Sequence, residues 1–154
     1  MPKVFLEVSA ILENVRKVSF ALEPYVLDVQ QTGGSEVREG VEVDKNEEHE
    51  IFGSKGVANF KMKWDKKDKH EASITVLSQI DLTASRKMQK IASFETRGLE
   101  LVKFRPTSVF VVSSKGEEFS HCDMSDPAEG WADYDEKAQL PVSVSELAYR
   151  FVSG

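Results

Sequence analysis

Trp131, Asp133, Tyr134, Asp135, Glu136 and Lys137 are the densest group of side chains in this sequence that could do chemistry. Two carboxylates beside a tyrosine suit general acid/base work, provided burial raises the pKa of one of them. The same residues can anchor a loop, because Asp caps turns while Trp and Tyr bury a ring and keep a polar handle. They can also form a partner surface, where aromatic residues carry most of the binding energy. Anchoring is the leading reading, a partner surface comes next, and catalysis is last, because no second motif completes an acid/base site.

Other clusters carry less. His121, Cys122 and Asp123 are three metal-ligand types in a row, but neighbours on an extended chain point to opposite sides and do not converge on one ion. Nothing in the sequence brings His49 or His70 to them, and no oxyanion motif accompanies the Cys/His pair. The stretch KMKWDKKDKH at 61–70 interleaves lysines with Trp64, as single-strand nucleic-acid binders do. The whole chain, however, has a net charge of −6 and a pI near 5.2. That balance opposes phosphate neutralisation and docking on anionic membranes, so neither nucleic acid nor membrane is an expected partner. The lysine run reads as a solvated hairpin tip. The acidic run EVREGVEVDKNEEHE at 36–50 reads as a charged sheet edge that discourages aggregation, without calcium-loop spacing. Gly33-Gly34 lacks a phosphate-loop context and reads as a turn.

The elements that must position these groups are mostly strands. Val4, Leu6, Val8 and Ala10 share one face of an alternating segment. Phe60, Met62 and Trp64 alternate with Lys61 and Lys63, and Ala72, Ile74 and Val76 continue the pattern across the polar tip DKKDKH. Further strands are predicted at 25–30, 37–43, 89–96, 99–104, 108–113 and 142–152. Turn signals at Gly33-Gly34, Gly53, Gly56, Gly98, Pro106, Gly116 and Pro127 separate them. Residues 83–90 (TASRKMQK) predict a short helical turn with Thr83 as N-cap. Residues 143–151 have a helix-like start but favour a strand. Residues 114–141 show little periodicity and predict a long loop packed by its own Phe119, Trp131 and Tyr134.

At 154 residues, 40% apolar and 30% charged, the chain predicts one domain, 1–154, able to bury a core of its own. The fold class is all-β: coiled, mostly antiparallel sheets in a sandwich- or barrel-like arrangement with little helix. Cys122, the single cysteine, excludes an internal disulfide and fits a reducing compartment. No secretory pattern and no run of about 20 apolar residues is present. A cytoplasmic monomer is the expectation.

Three segments resemble the eukaryotic CXXC motif-containing zinc-binding protein family. They are the first strand running into LENV (12–15), the phrase SFETRGLELVKFRP (93–106), and WADYDEKAQ (131–139) followed by V-x-V-x-E-x-x-x-x-F-V from Val142 to Val152. The resemblance implies a β-rich intracellular eukaryotic protein without a transferable enzymatic activity. It also implies a zinc site built from two CxxC pairs on hairpin tips, where four thiolates suit tetrahedral zinc. Those positions fall here on Gln31 and Gly34 and on Trp64 and Lys67, so the chain lacks both motifs. No zinc or other cofactor is therefore expected. Trp64 is expected to offset part of the loss by burying its ring, and residues 65–70 to be mobile. The function expected is that of a non-enzymatic interaction or adaptor protein with a protein partner the sequence does not identify. The alternatives are a small-ligand binder or hydrolase using 131–137, and a metal-binding protein using ligands unlike the family's.

Overall fold

Wherever apolar residues alternate, the chain is extended. A computed structural model describes residues 2–51 and 56–154, and the turn expected at Gly53 lies outside them. Among the described residues every regular element is a strand, and all strand pairings are antiparallel. The chain runs through β1 (Lys3–Glu13), β2 (Val15–Ser19), β3 (Tyr25–Gln31), β4 (Val37–Val43), β5 (His49–Glu50), β6 (Val57–Ala58) and β7 (Phe60–Met62). It continues through β8 (Ala72–Gln79), β9 (Gln89–Arg97), β10 (Leu99–Arg105), β11 (Ser108–Ser113), β12 (Glu118–Asp123), β13 (Trp131–Asp135) and β14 (Leu140–Ser153). On β1, Leu6, Val8 and Ala10 are buried as their alternation predicts, with Val4 packed at the margin of the core. The 143–151 segment is a strand, part of β14.

Two expectations fail. Residues 83–90 form no helix, because their backbone groups are spent elsewhere. The Arg86 amide donates to the Ala10 carbonyl, Ser85 Oγ accepts from the Leu12 amide, and the amides of Thr83 and Ala84 both donate to Gln89 Oε1. The segment thus lies along β1 just where β9 stops pairing with it. Residues 114–141, expected to be a long loop, contain β12 and β13. Phe119 and Trp131 do pack, edge to face with centroids 5.2 Å apart, whereas Tyr134 is 42% exposed.

The largest sheet has six strands in the order β13-β14-β1-β9-β8-β7. Three-stranded sheets β10-β3-β4 and β12-β11-β2 fold over it. The chain passes between sheets at sharp bends of positive φ: Asn14 joins β1 to β2, and Gly98 joins β9 to β10. An L side chain is disfavoured at such a φ, which glycine adopts freely. These crossings curl the sheets into a half-barrel. The core lies inside the curl, where Tyr25 meets Phe94 at 5.2 Å and Phe104 meets Tyr149 at 5.7 Å.

Candidate functional site

The 131–137 cluster sits on β13, the edge of the six-stranded sheet. β14 fixes that strand from two directions. Its residues 140–144 pair with Asp135–Trp131. Farther along, a bulge marked by the positive φ of Glu146 turns two amides outward. Glu146 N–H and Leu147 N–H then bind the carbonyls of Ala128 and Pro127, so the chain entering β13 is tied down. Gly130 closes this corner at a φ of 75°, with its missing Cβ facing the Val144 carbonyl and Ser145 Cα.

On this frame the two central carboxylates part company. Asp135 is buried; its carboxylate accepts from Ser113 Oγ at 2.8 Å and from the Ala138 amide at 3.0 Å. These bonds, first the backbone one, hold its pKa below the usual carboxylate range. Asp133 is exposed and accepts from the amide of its own neighbour Tyr134 at 2.6 Å. A general acid needs a carboxyl whose pKa is raised, and Asp135 is held the opposite way. Glu136 and Lys137 are exposed, and Trp131 is half-buried against Phe119. A groove of about 630 Å³ exists elsewhere, between Pro2–Val4, Gly98–Val102 and Phe151–Gly154, and no residue of 131–137 lines it.

The two hairpin tips also meet. In the first, Gly34 N–H donates to the Gln31 carbonyl, and Gln31 N–H donates to the Glu36 carbonyl. The Gln31 side chain folds over the place a Cβ of Gly34 would occupy. Side chains at 31 and 34 would therefore converge, but those present supply one neutral amide and nothing else. In the second tip, Asp65 and Asp68 close a turn through the amides of Lys67, Asp68 and Asp65. Residues 65–68, within the stretch expected to be mobile, thus form a hydrogen-bonded turn. Trp64 is half-buried at the edge of the core, as its packing role requires. Its indole Nε1 donates to the Gly98 carbonyl at 2.9 Å. Lys67 is exposed.

Gln31, Gly34, Trp64 and Lys67 do not fit zinc: amide, no side chain, indole and ammonium offer no anionic or imidazole donor. Among the described residues no three His, Cys, Asp or Glu side chains gather in a group able to hold a metal ion. His121 is on the surface, paired with Glu23 at 3.3 Å, while Cys122 is buried. The two point apart, and burial pushes the thiol up to about 11. His49 lies 3.6 Å from Glu47, on another sheet.

Sequence reasoning missed Arg38. Its guanidinium lies 5.6 Å from the Trp64 ring centroid, and Nη2 donates to the Lys63 carbonyl at 3.4 Å. No motif marks it; only the meeting of β4 with the β7–β8 turn gives it a role.

The profile of the family described as "CXXC motif containing zinc binding protein, eukaryotic" matches residues 5–152. The bovine CXXC motif containing zinc binding protein is 30% identical, over 99% of each chain. The human protein of the same name is 28% identical, also over 99% of each. Among solved structures, a hypothetical protein from Plasmodium falciparum superposes with a TM-score of 0.91 at 26% identity, covering 99% of this chain and 100% of its own. The crystal structure of C1orf123 gives a TM-score of 0.88 at 27% identity over 99% of both.

Proposed function

The chain belongs to the eukaryotic CXXC motif containing zinc binding protein family, and on that premise we propose that it is a non-enzymatic interaction protein which has given up the family's zinc and docks partners along β13. The observation that carries this reading is the position of β13: it pairs with β14 on one side and ends the sheet on the other. A free sheet edge can take an added strand, with main-chain hydrogen bonds giving affinity and side chains giving choice. Tyr134 stands exposed beside it as an aromatic contact. Asp126, Glu129, Asp133 and Glu136 are exposed along the same 126–136 stretch. The partner that fits is an extended segment rich in Lys or Arg. The use of Asp135 as an ionised anchor, with Asp133 spent on its own backbone, favours docking over hydrolysis.

The test uses charge reversal. Asp133→Lys/Glu136→Lys and, separately, Tyr134→Ala are compared with wild type against an array of extended basic peptides at two salt concentrations. The expected result is salt-sensitive binding by wild type that falls about ten-fold or more in either variant, with unchanged thermal unfolding. Equal binding by all three proteins, or no binding by wild type, overturns the reading.

A further inference from the structure

We infer that Arg38 forms a metal-independent joint between the two hairpin tips, standing in for a bridging ion by stacking on Trp64 and binding the Lys63 backbone. The inference rests on the reading above that no zinc joins these tips.

Three turns converge at one corner. Gln31, the last residue of β3, pairs with Leu99 on β10. The preceding residue, Gly98, accepts the Trp64 indole N–H. From the facing strand β4, Arg38 reaches across to the Trp64 ring and the Lys63 carbonyl. The first hairpin therefore touches the second directly through Arg38, and indirectly through the β9–β10 crossing and Trp64. Gly98 adds a close fit, since a Cβ there would lie 3.3 Å from Ala72 Cβ in the second hairpin.

The chemistry suits a joint rather than a site. A guanidinium can place its plane on an aromatic face and still donate from its rim, and it holds its charge at any physiological pH. Lysine can do the first only weakly and lacks the fork. Unlike a zinc–thiolate centre, the contact does not depend on pH, redox state or metal supply. Each tip also satisfies its own backbone, the first through Gln31 and Gly34 and the second through Asp65 and Asp68. The joint thus needs only to hold the tips together, not to fold them.

Amide hydrogen exchange reads this directly in the full chain. The reporters are the Gln31, Gly34 and Asp68 amides at the tips, and the Leu82 amide, bonded to Val18, as the core reference. Arg38→Ala should speed exchange at the tips about three- to thirty-fold while leaving Leu82 unchanged. Arg38→Lys should recover only part of the protection, and Trp64→Phe should fall between the two because it keeps a ring but loses the Gly98 bond. Wild-type protein should exchange identically with and without a strong zinc chelator. Tip exchange in Arg38→Ala equal to wild type sinks the joint, whatever the metal content. Stoichiometric zinc in the purified protein, or faster tip exchange on chelation, sinks the zinc-free premise separately.

Discussion

Asp28 shows how one buried carboxylate can serve a fold without serving a reaction. It is 5% exposed and accepts from Arg105 Nε and Nη2 at 2.8 and 2.9 Å and from the Gly40 amide at 2.8 Å. The Arg105 hydrogen bonds come first among the causes that hold its pKa below the usual range, against the opposing pull of burial. Because the folded value is depressed, Asp28 stabilises fully above the unfolded Asp pKa of about 3.9 and loses that contribution as pH falls through the lower, folded value. Asp28→Asn should therefore cost about 2 kcal/mol at pH 7. It should also flatten the fall in stability below pH ~4, as followed by urea unfolding across pH. Asp135 is a parallel case, and it explains why the site was only half legible. In sequence, W-x-D-Y-D favours a loop anchor over a partner surface or an acid/base pair, but it names no partner for either carboxylate. Ser113, the partner that decides for anchoring, lies on another strand, and no spacing rule points to it. Arg38 was illegible for the same reason: its partners come from a different hairpin.

Elements were legible where apolar and polar residues alternated, as in the β7–β8 hairpin, and β1 was legible from Leu6, Val8 and Ala10 even though Glu7 among them is also buried. The alternation failed where the backbone was irregular or a polar side chain turned inward. In β12 the positive φ of His121 and the register shift between Val109 and Val111 separate the inward residues Phe119 and Cys122 by three positions, so no period of two survives. In β13 the buried residue is Asp135, which inverts the expected pattern. For 83–90 the composition suits a helix, but the bonds to β1 and Gln89 win because they cover backbone that would otherwise be left bare. Gly130 tests how far β13 depends on its corner. Gly130→Ala combines a positive φ with a collision against β14 backbone, and should cost about 2–3 kcal/mol. Thermal unfolding with the β13 amides followed by NMR would check it; an unshifted Tm would mean the corner adjusts freely.

The molecule as a whole is held by side chains that cross between sheets. Phe94, fully buried on β9, faces Tyr25 from the β3 sheet. Phe94→Ala should cost about 4 kcal/mol through lost burial and the cavity left behind, measured by urea denaturation. A loss under about 1 kcal/mol would mean the sheets can collapse onto the gap. The pairing of β1 with β14 adds a different consequence. Val4 lies opposite Ser153 and Glu13 opposite Ser143, although β1 is a middle strand of its sheet. During synthesis, β1 leaves the ribosome early and waits with one flank bare until residues 140–153 emerge. Closure is thus a late, long-range event of the slow kind, and a nascent chain stalled before β14 would offer chaperones, or another copy of itself, a ready strand to seize.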